Sequence, residues 1–310
     1  MEDINALTAQ EVADLLRVAK NTVYEMVKRG DLNPYKIGRK MRFSRGDVDK
    51  YISESRSIQT MEPRYERSQS VIEQADTGFI ICGQDALLDV LTGFLSKRPN
   101  QETPLRSYVG SYRGLVALYR GEVQAATAHL WDGDSGKYNL PFVRRLLPGI
   151  PAVLIHLTVR VQGFYVQSGN PKNIKSWNDL RRRDLTIVNR EKGAGSRVLL
   201  DEHLRLMDLK TRDISGYQRE ELSHLSVAGA VGRGEADLGV GDLKAASQVE
   251  GVDFLALQNE QYDLVIKKED LTLPIVVDIL KVLRSKEFKA QFEYMRGYDV
   301  KAMGSVVGET

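Results

Sequence analysis

Cysteine is almost missing from this sequence. Of 310 residues only Cys82 is a cysteine, which excludes an intrachain disulfide framework and indicates a reducing compartment. Long apolar runs are missing too, because no stretch approaches the roughly 18 residues that a membrane-spanning helix requires. The acidic N-terminus lacks the basic and apolar regions of a secretory signal. These absences predict a cytoplasmic protein with no membrane segment.

Signatures of catalysis and metal binding are also absent. The sequence contains no Walker loop, no nucleophile elbow and no complete dinucleotide fingerprint. The histidines share no metal-ligand spacing, and Cys82 is interpreted as a buried, unreactive thiol rather than a nucleophile. Of the histidines, only His129 ends a predicted strand near a possible ligand site. We therefore expect no enzyme activity, no direct metal site and no cofactor.

Charge is nearly balanced over the whole chain, at +2, but it is unevenly distributed. Between Arg17 and Arg45 nine basic residues face only two acids, Glu25 and Asp31, which gives a local charge of +7. A concentrated basic surface is what contact with DNA phosphates requires. A solvated surface or a small protein-interaction module is the alternative interpretation.

Residues 1–55 have the pattern of a small helical domain. Thr8 and Glu11 form a capping box ahead of an amphipathic run, and a second helical run ends at Gly30. Two short helices joined by a tight turn suggest a helix-turn-helix. Two short strands around Gly38 would form a hairpin, the wing, before a last helix that Ser44 caps.

The strings LTAQEVADLLRVAKNTVYEMVKRGDL and KIGRKMRFSRGDVDKYI resemble the excisionase-type winged helix-turn-helix of the MerR superclass, over residues 5–53. The resemblance implies that the second helix enters the major groove of double-stranded DNA and that the wing meets the backbone. The DNA contacts that it implies are Lys20, Asn21, Thr22, Tyr24, Lys28, Arg39, Lys40 and Arg42. Where that family usually has a serine cap this chain has Ala19, so the cap shifts to Asn21 or is lost at about 1 kcal/mol.

From residue 77 to residue 310 predicted strands and helices alternate, which is typical of an α/β domain. A polar linker, residues 56–76, precedes it. A helix, a Gly-Glu turn and a small-residue strand occur twice, at residues 115–130 and 227–241, which indicates two similar lobes. The apolar segments Val153–Val166 and Leu255–Ile266 would cross between them as hinges. We expect lobe 1 at about 77–163 and 263–310, and lobe 2 at about 164–262.

The stretch Leu185–Arg197 is the best candidate for part of a binding site. It reads as a strand, a loop with two glycines and a helix for which Ser196 is the expected N-cap. Backbone N–H groups at such a helix start favour an anion. An ordinary strand-to-helix turn is the alternative, but Gly110 and Ser111 repeat the arrangement in the other lobe. Because open α/β sheets bind ligands at the carboxyl ends of their strands, we expect both loops to face one cleft.

Four strings resemble the periplasmic-binding-protein type II fold in a cytoplasmic one-component regulator: GSYRGLVALYRGEVQAATAHLWD, NREKGAGSR, GRGEADLGVG and LRSKEFKAQFEYMRGYDVKAMGSVV. The resemblance covers residues 77–308 and implies a ligand between the lobes, often molybdate or tungstate. The ligand-contact candidates are Gly83, Gln84, Asp85, Gly110, Ser111, His129, Asn189, Arg190, Gly195, Ser196, Arg197 and Gly241. Where some relatives have a serine after the first strand, this chain has Cys82-Gly-Gln.

The sequence therefore predicts an α/β protein with an N-terminal winged helix-turn-helix and a two-lobed periplasmic-binding-protein type II domain. Its expected function is a DNA-binding transcriptional regulator that senses a small oxyanion and acts as a homodimer or higher homo-oligomer. A sensor of a small organic carboxylate is one alternative. An enzyme of anion or molybdenum-cofactor metabolism with an appended DNA-binding module is another, and a storage binder whose small domain docks protein is a third.

Overall fold

The chain divides after residue 75 into two units, which are described separately. The computed structural model describes residues 6–16, 18–29, 31–32, 34–37, 40–48, 51, 78–97 and 103–310. The expected linker, residues 56–76, lies outside these ranges. The boundaries expected for the domains and lobes stay predictions.

The first unit has the helix-turn-helix and hairpin that its sequence predicts. Its elements are β1 (Ala6–Leu7), α1 (Ala9–Leu16), α2 (Lys20–Arg29), β2 (Tyr35–Ile37) and β3 (Lys40–Ser44). The strands form a sheet in the order β1-β3-β2. Val12, Val23, Phe43 and Val48 are fully buried and form the centre of one small core.

The starts of the two helices differ. The capping box is confirmed, since the Thr8 N–H donates to Glu11 Oε2 at 2.7 Å and the Glu11 N–H donates to Thr8 Oγ1 at 3.2 Å. Helix α2 begins directly after Ala19, whose carbonyl oxygen accepts from the Thr22 N–H. The suggestion that the cap shifts to Asn21 is wrong, because Asn21 lies inside α2.

The second unit is built on one twisted sheet with helices packed on it. Its strands are β4 (Ile80–Cys82), β5 (Leu105–Ser107), β6 (Ala125–Ala128), β7 (Trp131–Asp132), β8 (Lys137–Tyr138), β9 (Ala152–Gln167), β10 (Ile187–Arg190), β11 (Glu220–Glu221), β12 (Leu238–Asp242), β13 (Val252–Lys267) and β14 (Val306–Glu309). Its α-helices are α3 (Ala86–Ser96), α4 (Ser111–Arg120), α5 (Leu140–Leu146), α6 (Gly195–Leu206), α7 (His224–Gly232), α8 (Leu243–Ala246), α9 (Pro274–Arg284) and α10 (Lys286–Ala290).

The main sheet has the order β11-β10-β12-β9-β13-β6-β4-β5, and β14 also pairs with β9. Its outer parts are parallel, but the long strands β9 and β13 run antiparallel to each other and to their neighbours β12 and β6. We call β4–β6 and β14 with their helices lobe 1, and β10–β12 with their helices lobe 2. Both predicted crossing segments are confirmed as strands, and each is 16 residues long.

The two crossing strands are irregular where they pass between the lobes. The pairing of β13 with β9 shifts register between Ala256 and Gln258 and again between Tyr262 and Asp263. Between these shifts Glu260 lies opposite Arg160. Because bulges bend a strand and redirect its side chains, this short regular stretch turns polar groups toward the space between the lobes.

The duplicated turn is present in both lobes. Helix α4 is followed by its C-cap Gly121, with φ of 74°, and Gly234, with φ of 75°, lies just after α7. Such backbone angles favour glycine, which explains the repeated Arg-Gly-Glu sequence. Among the described helices, none is long and apolar enough to cross a membrane.

Candidate functional site

A cavity of about 590 Å³ lies between the two lobes. The ends of β4, β5, β6 and β12 and the starts of α3, α4 and α7 contribute to its wall. It is therefore at the carboxyl ends of the parallel strands, where the sequence predicts it. Six of the predicted contact residues line it: Gln84, Asp85, Gly110, Ser111, His129 and Arg190.

Arg160 is the central side chain of the cavity wall. It is only 6% exposed, and its guanidinium lies 4.2 Å from the centre of the Tyr262 ring. Its Nη1 donates to Asp85 Oδ2 at 2.7 Å, and its Nε donates to Glu260 Oε1 at 2.7 Å. Buried charges are stable only when paired and hydrogen-bonded in this way. Arg160 therefore connects the crossing strands β9 and β13 to Asp85 in lobe 1.

Glu260 links Arg160 to His129. Its Oε2 lies 2.7 Å from His129 Nδ1. Burial by itself would raise the pKa of Glu260, but the nearby Arg160 and His129 outweigh burial and lower the pKa to about 2. Glu260 is thus an anion at neutral pH, and it fixes the orientation of the His129 ring.

A second polar chain extends from Asp85 in the opposite direction. Tyr298 donates to Asp85 Oδ1 at 2.7 Å and accepts from Lys244 Nζ at 3.0 Å. Asp85 also accepts from the Leu87 N–H as the N-cap of α3. Although burial opposes ionisation, Arg160 and these donors lower the pKa of Asp85. The two chains together join Lys244, at the lobe 2 side, to His129 in lobe 1.

The lobe 2 wall contains Asp242 and His224. Asp242 Oδ1 accepts from the Ala245 N–H at 2.8 Å, whereas Oδ2 lies 3.8 Å from His224 Nε2, beyond hydrogen-bond distance. Burial lowers the pKa of His224 to about 4, which outweighs the opposite effect of Asp242. His224 is therefore neutral at physiological pH, and its buried Nδ1 has no hydrogen-bond partner among the described residues.

Arg190 connects the lobes at the edge of the cavity. Its Nη2 donates to Gln84 Oε1 in lobe 1 at 2.9 Å. Its Nε and Nη2 also bind both carboxylate oxygens of Glu191, at 2.7 and 2.8 Å. The bidentate pair neutralises Arg190, so its contact with Gln84 is a contact between lobes rather than an unoccupied anion site.

The charges around the cavity nearly cancel. The cations are Arg160, Arg190 and Lys244, and the carboxylates that line the cavity or pair with these cations are Asp85, Glu191, Asp242 and Glu260. Three cations against four carboxylates leave a net charge of −1, or 0 when His129 is protonated. A site with this balance does not favour a dianion.

The stretch Leu185–Arg197 is the best candidate from the sequence, but Arg190 is its only residue that lines this cavity. Helix α6 begins at Gly195 with Ala194 as its N-cap, so the expectation that Ser196 caps the helix is wrong. Ser196 is 1% exposed, and its Oγ has no partner among the described residues. Because this hydroxyl is enclosed by the protein, it cannot reach a ligand in the cavity unless the loop moves.

The remaining predicted residues contact other parts of the protein and do not line the cavity. Arg197 is buried, binds Asp201 and Glu220 and lies over the Tyr217 ring at 4.2 Å. Asn189 donates to the Tyr217 carbonyl oxygen at 3.1 Å.

The other three are glycines, at each of which a Cβ would be too close to a neighbour. Gly83, Gly195 and Gly241 lie against Thr127, His129 and Tyr165 respectively. With Asn189, Ser196 and Arg197, they are not among the residues that line the cavity, and their contact with ligand stays a prediction.

The structure does bring the two predicted loops together. The Tyr112 N–H at the start of α4 donates to the Gly193 carbonyl oxygen at 3.2 Å. A Cβ on Gly110 would lie 3.1 Å from that oxygen. Only the α4 side faces the cavity, because His129 covers the start of α6.

Sequence reasoning missed most of the polar wall, including Thr127, Arg160, His224, Asp242, Lys244 and Tyr262. One signal was available, since Arg160 is the only Lys or Arg in the mainly apolar strand β9, and β13 carries the acids Asp253, Glu260 and Asp263. Buried charges in apolar strands need partners. The other residues gave no such signal, because they come from separate strands and helices that meet only in the folded domain.

Cys82, His156 and His203 do not line the cavity and are structural groups. Cys82 is 1% exposed, and burial raises the pKa of its thiol. His156 bonds to Asp263, and His203 is stacked between Trp131 and Trp177. Within the described ranges, no group of three His, Cys, Asp or Glu side chains is placed to hold a metal ion.

In the first unit most of the implied DNA contacts are on the surface. Lys20, Asn21, Tyr24, Lys28 and Lys40 are exposed, and Thr22 and Arg42 are partly buried. Lys28 pairs with Glu25 at 2.8 Å, an exposed ion pair of the weak surface type. Arg39 lies outside the described residues. The exposed face of α2 is thus available to DNA phosphates and base edges.

Comparison with known families fits both units. Residues 92–284 match the family model of the PBP superfamily domain, and residues 6–56 match that of the helix-turn-helix domain. The chain is 41% identical to the uncharacterized protein YvgK of Bacillus subtilis (strain 168) over the whole of both chains.

Solved structures share the fold of the second unit at low sequence identity. One is the Synechocystis PCC6803 CcmR regulatory domain in complex with 2-PG, with 13% identity, a TM-score of 0.52, and coverage of 70% of this chain and 97% of that one. Another is EhuB in complex with hydroxyectoine, with 16% identity, a TM-score of 0.52, and coverage of 74% and 93%. The predicted winged helix-turn-helix and two-lobed α/β folds are confirmed.

Proposed function

Since the chain belongs to the PBP superfamily and begins with a helix-turn-helix domain, we propose that it is a transcriptional regulator that responds to a small organic carboxylate. The winged domain binds double-stranded DNA in the cytoplasm, and the cavity between the lobes binds the ligand. The observation that carries the proposal is the presence of this cavity of about 590 Å³ in the same chain as a DNA-binding fold.

Size and charge favour an organic ligand over molybdate or tungstate. Pockets for small organic molecules typically have volumes of about 300–1,000 Å³, and this cavity falls inside that range. A tetrahedral oxyanion would fill a small part of it and would bring two negative charges to a site with no positive excess. Tyr108, Leu222 and Leu225 add an apolar wall for which an oxyanion has no use.

Closure of the lobes would transmit ligand binding to DNA. The contact of Arg190 with Gln84 and that of Tyr112 with Gly193 join the lobes beside the cavity. A ligand that bridges the same lobes favours the closed state by its differential affinity for it. In a homodimer such closure changes the placement of two winged domains, and hence their fit to two half-sites. Light scattering of the purified chain tests the dimer directly.

DNA binding is tested by titration at several salt concentrations. We expect affinity for the DNA upstream of the chain's own gene to fall steeply between about 50 and 200 mM salt, because phosphate contacts release counterions. Replacing Lys20, Lys28 and Lys40 together by Gln should weaken binding and flatten the salt dependence, whereas replacing Lys172, Lys268 and Lys281 serves as the charge-matched control. Salt-independent binding, or none, contradicts the regulator proposal.

Ligand binding is tested by thermal unfolding with a panel of carboxylates and of molybdate, tungstate, sulfate and phosphate. A ligand at 100 times its Kd stabilises the folded state by about 2.7 kcal/mol, which raises the Tm of a domain of this size by about 5–10 °C. We expect an organic carboxylate to produce this shift. If only an oxyanion does, the ligand assignment is wrong, and if no compound does, the cavity is not a sensor site.

An enzyme with an appended DNA-binding module is less well supported by the contacts. Glu260 orients His129 as the carboxylate of a catalytic triad would, but the nearby Ser111 Oγ accepts from the main-chain N–H of His129, at 3.3 Å. An activated serine would instead be bonded to the ring. Recovery of the stabilising ligand unchanged after prolonged incubation with the protein is the expected result.

A further inference from the structure

Two opposite charges at the cavity have no ionic partner once the other pairs are assigned. Arg160 is paired with Asp85 and Glu260, and Arg190 is paired with Glu191. Of the charged residues that line the cavity, Lys244 and Asp242 remain, with no salt bridge to an opposite full charge among the described residues. They are two positions apart, at the end of β12 and in α8.

Asp242 is well placed to bind a cationic group. It is 7% exposed, so its charge is removed from bulk water, yet only Oδ1 has a hydrogen bond from the main chain. His224 Nε2 lies 3.8 Å from Oδ2, beyond hydrogen-bond distance, and His224 is neutral at physiological pH. Oδ2 is not among the fully buried side-chain atoms that lack a partner, so a cationic group in the cavity can reach it.

Lys244 and Ser111 are the corresponding donors for an anionic group. Lys244 Nζ donates to the neutral Tyr298 hydroxyl. Its ammonium group can also donate to a ligand carboxylate on the cavity side. Ser111 is 3% exposed, and its Oγ accepts from the His129 N–H, so its own proton remains to be donated. The N-cap of α4, Gly110, provides no side-chain bond to the helix start, which adds backbone N–H groups to this side of the cavity.

Part of the cavity wall consists of large side chains that are exposed to solvent. Leu222 is 76% exposed, and Tyr108 is 60% exposed, although both line the cavity. Large apolar side chains exposed beside a polar pocket indicate that the ligand has an apolar part that they cover.

We propose that the ligand is a zwitterion of amino-acid size, with its cationic group at Asp242, its carboxylate at Lys244 and Ser111, and its apolar part against Leu222 and Tyr108. This inference rests on the proposed ligand-sensing function and names the class of ligand for the same cavity. The zwitterion adds no net charge, which matches the near-neutral surroundings, and each of its two charges meets one unpaired charge of the protein.

Matched triples of compounds test the inference on the full chain. The first triple is phenylalanine, 3-phenylpropanoate and 2-phenylethylamine, and the second is leucine, 4-methylpentanoate and 3-methylbutylamine. The remaining standard amino acids, with their desamino and decarboxylated analogues, complete the panel. We expect at least one amino acid to raise the Tm and to bind, by calorimetry, about tenfold to a hundredfold more tightly than either single-charge analogue.

The variant Asp242→Asn identifies the cationic subsite. Asparagine also serves as an N-cap, so the fold should persist, while affinity for the amino acid falls about tenfold or more and affinity for the desamino acid is unchanged or rises. The control is Asp253→Asn, since Asp253 accepts from the Gly169 N–H at 2.7 Å and does not line the cavity. That control should leave both affinities unchanged.

The failures of the two proposals are distinguishable. Equal binding of an amino acid and its desamino analogue, or stabilisation by an oxyanion or a simple carboxylate alone, overturns the zwitterion inference but leaves a ligand-sensing cavity. An unchanged preference in Asp242→Asn also overturns it. Absence of any Tm shift over both panels overturns the sensor proposal itself.

Discussion

Two strand-to-helix turns of nearly the same composition have different surroundings in this molecule. Gly110-Ser111 begins α4, and Ala194-Gly195-Ser196 begins α6, and neither helix has a side-chain cap. Ser111 lines the cavity, whereas Ser196 is enclosed and Gly195 lies beneath the His129 ring. The local sequence pattern that favours an anion thus predicts only the backbone geometry of the turn. Access to ligand depends on what the rest of the fold places in front of it.

The largest expected difference between the turns is in stability. A Cβ at position 195 would lie 2.3 Å from the His129 ring, whereas one at position 110 would lie 3.1 Å from the Gly193 carbonyl oxygen. Gly195→Ala should therefore displace His129 from Glu260 and cost about 3 kcal/mol, and Gly110→Ala about 1 kcal/mol. Urea denaturation measures both costs.

A double substitution gives the control for this comparison. In a His129→Ala background the ring is gone, so adding Gly195→Ala should cost less than about 1 kcal/mol. If the two substitutions are additive instead, His129 does not cover the start of α6.

The second expected effect concerns the two cavity histidines. His129 has Glu260 at 2.7 Å, but His224 has no partner within hydrogen-bond distance, and burial lowers its pKa from 6.5 to about 4. Between these values only the unfolded state binds the proton, so His224 makes stability rise with pH from about 4 to 6.5 and has no effect above that range. Asp242, Arg190, Arg160 and His129 are the charged or titratable groups that act on it.

The variant His224→Gln separates this effect from other titrations. We expect the rise in unfolding free energy between pH 4 and 6.5 to shrink by about 2 kcal/mol relative to the parent chain. His156→Gln cannot serve as a neutral comparison, because His156 is bonded to Asp263. An identical pH profile in parent and variant would contradict a neutral His224.

The third effect distinguishes the serines by ligand affinity. Loss of the Ser111 hydroxyl should weaken the stabilising ligand about tenfold, the value of one hydrogen bond to a charged group. Ser196→Ala should leave affinity unchanged, because Ser196 does not line the cavity. Calorimetric titration of both variants makes the comparison, and equal losses would place the α6 turn back in the site.

The smallest effect is the stability of Ser196→Ala itself. Its Oγ is buried without a partner among the described residues, so removing it relieves an unsatisfied polar group. The variant should be as stable as the parent or more stable by about 1 kcal/mol. A clear loss of stability would reveal a hydrogen bond at this hydroxyl.

Much of the fold follows from short-range pattern. The capping box at Thr8, the positive-φ turns at Gly121 and Gly234 and the long strands β9 and β13 are all local consequences of composition. Local rules were less reliable at helix starts, where one residue decides the cap. The sequence pattern assigns the cap of α6 to Ser196, but the N-cap is Ala194, two residues earlier, and the helix starts at Gly195.

The candidate site divides in the same way. Residues that follow strands, such as Asp85, Ser111 and Arg190, could be assigned because strand ends of a parallel sheet share one edge. Tyr262 and Lys244 could not, because Tyr262 lies at a bulge of β13 and Lys244 is positioned by the contact of α8 with Tyr298. The expected anion rested on the two helix starts, and the choice of molybdate or tungstate rested on resemblance alone, without knowledge of which cations were already paired.

The sequence by itself determined the two domains of this protein, the order of its elements and the basic winged fold, because periodicity, capping and turn residues act over a few positions. Only the tertiary structure decided which turn is open to ligand and which charges remain unpaired. A stretch of sequence such as Leu185–Arg197 specifies its own backbone. Whether His129 covers that backbone depends on residues more than sixty positions away.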